Sequence, residues 1–164
     1  MPRRASLVLV VALGLVATAC AGEESQAPRA GKGDGASLVV AGEEANDQGT
    51  EDIAGVSDFE LEMDEFYFRP TVLSGEAGQT ITLEVLNNGS NPHTFTLDAI
   101  QVDLEVQPGQ NGTTKVTFPE SGALLFYCRF HAGGGMRGGL SVGGDLNAAA
   151  GSQGGGDERT GPYG

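Results

Sequence analysis

The residues able to do chemistry are concentrated in Tyr127-Cys128-Arg129-Phe130-His131-Ala132-Gly133-Gly134-Gly135-Met136, which sets a thiol, an imidazole and a thioether at the spacing C-x2-H-x4-M. The only other histidine, His93, follows a turn at Asn91-Pro92 and opens a strand-like run. Soft sulfur ligands favour Cu(I), imidazole suits either oxidation state, and one thiolate with two imidazoles and a weak thioether is the arrangement of an electron-transferring copper site. Cys128, His131, Met136 and His93 are therefore the candidate metal ligands. One loop can carry three of them only if it turns sharply, and Gly133, Gly134 and Gly135 offer backbone angles closed to other residues. Gly138 and Gly139 extend that freedom past the last candidate ligand.

Each residue alone has a plainer reading. A single histidine is usually a surface or satisfied core residue, a single methionine is usually packing, and a buried free cysteine behaves as a small hydrophobe. Their coincidence on one motif favours the metal. Met63 follows Phe59 and Leu61 on one strand face and reads as core, and Tyr127 reads as packing. Zinc is the main alternative ion, since Cys and His bind it well, but a thioether is a poor zinc ligand.

The segment resembles the C-terminal ligand loop of the plastocyanin, pseudoazurin and amicyanin group of cupredoxins, and in loop length it is most similar to plastocyanin. Phe66-Tyr67-Phe68-Arg69-Pro70 resembles the F-x-F-x-P strand end of bacterial cupredoxin-like domains, and Ala77-Gly78-Gln79-Thr80-Ile81-Thr82-Leu83 resembles the turn and strand that follow. The resemblance spans about Asp58 to Gly144. It implies one type 1 copper with equatorial His93, Cys128 and His131, axial Met136, and a solvent-facing edge of His131 as the electron port. The sequence departs from the family at two places. Thr94 stands where plastocyanins carry an Asn that ties the two ligand loops, and a hydroxyl can do part of that work. Arg129 and Phe130 stand where small residues or Pro are favoured, which leaves open the hydrogen bonding around the Cys128 sulfur and hence the redox potential.

The elements that must position these residues read as strands. Ile81, Leu83 and Val85 alternate with Thr82 and Glu84; Val102, Leu104 and Val106 alternate with Asp103 and Glu105; Thr114, Val116 and Phe118 alternate with Lys115 and Thr117. Turn signals separate them at Asn87-Asn88-Gly89-Ser90, Pro108 to Gly112 and Pro119 to Gly122. Short strands at this spacing predict an all-β sandwich; the cupredoxin form of the Greek key comes from the resemblance. The same alternation puts His93 on a face with Phe95 and Leu97, and Cys128 on a face with Leu124 and Phe126, so both ligands point with the core.

The flanks set the domain plan. Residues 1–20 read as an export signal, with Arg3 and Arg4 ahead of an apolar stretch too short to span a membrane. Ala17-Thr18-Ala19-Cys20 resembles a bacterial lipobox, which predicts a lipid on Cys20 and an anchor at the outer face of the cell membrane, on the periplasmic or extracellular side. Residues 21–57, rich in Gly, Ala and acidic residues, read as a disordered tether; residues 58–144 as the folded domain; residues 145–164 as a disordered Gly-rich tail. With two cysteines in the chain, one at the signal and one between ligands, no disulfide is expected.

A formal net charge of -13 opposes electrostatic binding of nucleic acid. Multicopper oxidases and copper nitrite reductases pair a blue site with further copper held by additional histidines. Only two histidines are present here, and no catalytic carboxylate pair or triad is evident, so no enzyme is expected. The expected role is one-electron transfer with redox partner proteins at the membrane. Copper capture or delivery by the same ligands is the alternative.

Overall fold

The computed structural model describes residues 37–150, and these form an all-β sandwich. The strands are β1 (Ser37–Val40), β2 (Glu43–Asn46), β3 (Thr50–Asp52), β4 (Asp58–Asp64), β5 (Tyr67–Arg69), β6 (Val72–Gly75), β7 (Thr80–Asn87), β8 (His93–Leu97), β9 (Val102–Val106), β10 (Asn111–Thr117), β11 (Ala123–Tyr127) and β12 (Arg137–Val142). One sheet has the order β10-β7-β4-β5 and the other β3-β6-β12-β11-β8-β9, while β1 and β2 form a separate hairpin. Two short 3-10 turns, Asp98–Ile100 and Ala132–Gly134, complete the regular structure among the described residues.

Period-two patterning gives each strand its buried face. On β7 the side chains of Ile81, Leu83 and Val85 are buried and alternate with partly exposed Thr82 and Glu84. β4 lies parallel to β7 with Leu61 opposite Val85, and both side chains are fully buried. Met63 joins the same core. Three aromatic rings bridge the sheets at one end: Phe68 of β5 packs edge-on against Phe126 of β11 at 5.0 Å, and Phe126 lies 5.0 Å from Phe95 of β8. Phe95 is two residues beyond His93 and Phe126 two before Cys128. Both ligands therefore continue an aromatic row up to the end of the sandwich.

The structure moves the domain boundaries read from the sequence. Residues 37–57, assigned to the tether, supply β1, β2 and β3, with β3 parallel to β6 at the edge of the larger sheet. Val40 and Ala45 are buried with Val72 and Ala123 in a second small core, and Ile53 enters the main one. Each of these strands is short and buries a single side chain, Val40, Ala45 or Glu51, so hydropathy gives little signal. At the other end, residues 145–150 also join the fold. Ala123 N–H donates to Asn147 O at 2.7 Å, Ala149 N–H donates to Ala123 O at 2.9 Å, and Ala149 is buried. The export signal and Cys20 lie outside the described residues.

Gly138 and Gly139 do a different job from the one expected. They sit inside β12, not in a flexible loop. A Cβ at Gly138 would stand 2.3 Å from Thr71 O and 2.4 Å from the Phe126 ring, and one at Gly139 would stand 2.5 Å from Val40. Absence of a side chain lets β12 be covered closely on both faces.

Candidate metal centre

His93, Cys128 and His131 converge at the end of the sandwich. The two Nδ1 atoms lie 3.1 Å apart, and the Cys128 Sγ is 3.8 Å from His93 Nδ1 and 3.5 Å from His131 Nδ1. A point equidistant from the corners of that triangle lies about 2 Å from each, which is the length of a metal–imidazole bond. Two imidazole nitrogens and a sulfur gathered around one point form a donor set suited to one copper ion. His93 and Cys128 are fully buried, whereas His131 is partly exposed.

Backbone geometry explains how one loop carries three of the four predicted ligands and closes at its base. β11 and β12 pair through Tyr127 and Arg137, and the ladder continues as Cys128 N–H donates to Met136 O at 3.0 Å. Residues 129–135 are thereby closed into a loop at their base. Within it His131 N–H donates to Cys128 O, and His131 O accepts from Gly134 N–H and Met136 N–H. Of the three central glycines, only Gly135 has a positive φ, at 84°. Met136 is fully buried where the loop returns to Cys128.

Around the sulfur, Thr94 does two things. Its N–H donates to Cys128 Sγ at 3.4 Å, and its hydroxyl accepts from Arg129 N–H at 2.9 Å. The chain of bonds runs on: Thr94 Oγ1 is 3.0 Å from Thr96 Oγ1, and the Thr96 hydroxyl donates to Asp103 Oδ1 at 2.9 Å. Since Thr96 gives its proton to the carboxylate, the Thr94 hydroxyl donates to Thr96. The Arg129 side chain points outward, bonded to Asp103 at 2.8 Å, with its guanidinium 5.2 Å from the Phe130 ring centre. Those bonds, from Arg129 first and Thr96 second, hold the Asp103 carboxyl below its ordinary pKa.

The back of His93 is shaped by residues that the sequence did not link to the site. Its Nε2 is the one buried side-chain nitrogen or oxygen without a hydrogen-bond partner among the described residues. A Cβ at Gly89 would stand 2.9 Å from that Nε2, 3.2 Å from Glu65 Oε1 and 3.3 Å from Asn87 Oδ1, so position 89 is reserved for glycine. Buried Asn87 donates to Asn91 O and Val106 O, both at 2.8 Å, which fixes the turn leading into His93. Glu65 accepts from Ser90 N–H, Ser90 Oγ and Asn91 Nδ2, and the Ser90 bonds above all lower its pKa to about 2. Burial, then the neighbouring His131, pushes the His93 imidazole below its ordinary pKa, which favours the neutral form that binds a metal. The Asn87-Asn88-Gly89 turn was visible in the sequence; its contact with a histidine ring was not.

Residues 36–142 match the cupredoxin-like domain family. The chain belongs to that family. Plastocyanin A/B of Petroselinum crispum is 36% identical over 85 residues, which cover 46% of this chain and 86% of that protein. The chloroplastic plastocyanin of Hordeum vulgare is 36% identical over 87 residues, and the match spans about half of it, 54%. Among solved structures, the dithionite-reduced auracyanin of Roseiflexus castenholzii superposes with a TM-score of 0.47 and 20% identity, over 52% of this chain and 96% of that one. Family membership and the His-Cys-His geometry together make the centre a site for one copper ion, consistent with type 1.

Proposed function

We propose that this cupredoxin carries single electrons, with Met136 as axial ligand, at the outer face of a cell membrane to which a lipid on Cys20 tethers it. The observation that carries the reading is the asymmetric burial of the centre: His93 and Cys128 are sealed in the core, and only His131 reaches toward solvent. Copper bound there supplies reversible exchange between Cu(II) and Cu(I). The protein's part is to hold one ligand set that serves both states. The sulfur receives a fixed N–H bond from Thr94, and strand pairing closes the loop base at Cys128 and Met136. The aromatic row beneath excludes water.

The exposed edge of His131 is the port. Phe66 and Phe130 flank it, 45% and 50% exposed, and Gly133 has open space around its Cα. A partner can approach over these two rings, with the Arg129 guanidinium stacked at the Phe130 side. The matched plastocyanins support a carrier over an enzyme, and both histidines of the chain are used by the one centre. Residues 21–36 separate Cys20 from β1 in the sequence and lie outside the described residues; the proposed redox partners are proteins of the same membrane. Among the described residues no helix is long and apolar enough to cross a membrane.

Stopped-flow mixing of the copper protein with a small one-electron reductant tests the carrier reading. Rapid, reversible electron exchange with copper retained is expected. Loss of copper to a Cu(I) acceptor on each reduction would instead establish copper delivery. Intact-mass analysis of the membrane fraction tests the anchor: a lipid-modified Cys20 is expected, and an unmodified N-terminus would dismiss it.

A further inference from the structure

The loop that carries His131 is fastened to a residue that the sequence placed outside the domain. Asn46, at the end of β2, donates through one Nδ2 to two carbonyls on separate segments, Gly134 O at 2.8 Å and Phe66 O at 2.8 Å. Its backbone N–H donates to Gly135 O at 2.9 Å. Both amide protons are therefore used, one on the ligand loop and one on the turn between β4 and β5. Asn46 is itself fixed from behind, because the hydroxyl of buried Thr71 donates to its carbonyl at 2.9 Å. The fit at its Oδ1 is close, since a Cβ at Gly135 would stand only 2.7 Å away.

Phe66 shows what this fastening achieves. It has φ of 66°, a conformation a bulky residue rarely adopts, and remains half exposed. Its ring meets the His131 ring edge-on, with centroids 5.0 Å apart and planes at 78°. The ring also reaches Gly134, where a Cβ would lie 3.9 Å from Phe66 Cδ1. A strained backbone with an exposed aromatic persists only where the surroundings impose it, and such residues gather at functional sites. The Asn46 amide is the group that binds both the Phe66 carbonyl and the loop under it.

We propose that Asn46 is a positioning residue for His131. By spanning Phe66 O and Gly134 O it holds the aromatic ring against the imidazole, so the one exposed ligand neither rotates nor yields its place to an outside donor. This rests on the copper reading of the site, but the clamp itself is a property of the polypeptide. Aspartate at position 46 has the same shape, no protons to give, and a charge facing two carbonyl oxygens. Phe66→Ala removes the ring and leaves the clamp's hydrogen bonds.

The test uses the full protein with and without copper, and compares Asn46→Asp and Phe66→Ala with Val40→Ala, which weakens the same hairpin without touching Asn46. In the metal-free protein, NMR contacts between the Phe66 and His131 rings are expected to vanish in Asn46→Asp and to survive in Val40→Ala. In the copper protein, added imidazole is expected to convert the visible and EPR spectra of Asn46→Asp and Phe66→Ala at about tenfold lower concentration than wild type, the scale of one lost hydrogen bond. Val40→Ala should behave as wild type. Retained ring contacts in Asn46→Asp, or equal losses in Val40→Ala, would overturn the proposal. The NMR arm decides it even if the wild-type protein forms no blue centre, an outcome that would count against the copper reading alone.

Discussion

The Thr94 hydroxyl accepts a hydrogen bond from the Arg129 backbone N–H at 2.9 Å, joining the strand that presents His93 to the loop that presents His131. Thr94→Val keeps the side chain's shape and the backbone bond to sulfur but leaves that N–H without its acceptor. The expected cost is about 1–3 kcal/mol, read by denaturant unfolding of the metal-free protein. The copper colour should persist, because the Thr94 N–H is main chain. An unchanged unfolding midpoint would show that the tie contributes nothing.

That relationship also shows what was legible in the sequence. The convergence of His93, Cys128 and His131 was, because C-x2-H and a lone upstream histidine are rare types at a telling spacing, and period two placed His93 and Cys128 on core faces. Thr94 was legible as a departure from the family. Asn46 and Glu65 were not, since a polar residue that bonds to distant backbone leaves no periodic trace. The strands at 37–52 were hidden for a related reason: their burial is a matter of Val40, Ala45 and Glu51 taken singly, with Ile53 just beyond, set among acidic residues that read as a tether. Gly138 was seen but misread, because loop freedom and close packing both call for glycine.

Truncation checks the corrected boundary. A chain starting at Asp58 lacks the hairpin, β3 and the Asn46 bonds, and it uncovers Val72 and Ala123 in the small core. It is expected to unfold at markedly lower temperature than one starting at Ser37, by calorimetry. Equal stability would return residues 37–57 to the role of tether.

Close packing at β12 makes a sharper forecast. Gly138→Ala drives a methyl into Thr71 O and the Phe126 ring. A loss of about 1–3 kcal/mol or more is expected from overpacking, in the same unfolding assay. Gly133→Ala meets nothing within 4 Å and should be neutral.

The pH dependence of stability follows from Glu65. Its pKa in the fold, about 2, lies below the ordinary 4.5, so the bonds from Ser90 and Asn91 stabilise the native state. That contribution is complete above about pH 4.5 and is lost as pH falls toward about 2. Glu65→Gln should therefore flatten the acid limb of a stability profile over that window. An identical acid limb in the variant would remove Glu65 from the account.

Met136→Gln probes the axial position. The copper should stay bound and the reduction potential should fall, since an amide oxygen favours Cu(II) more than a thioether does. Voltammetry of wild type and variant decides it, and equal potentials would argue against axial ligation by Met136.

The central claim, that His93, Cys128 and His131 hold one copper for electron transfer, is tested most directly by visible and EPR spectra of the Cu(II) protein during ascorbate titration and reoxidation. An intense thiolate-to-copper band with narrow copper hyperfine splitting is expected, bleached and restored reversibly, and absent from Cys128→Ser. A colourless Cu(II) protein, or a band that survives in Cys128→Ser, would contradict it.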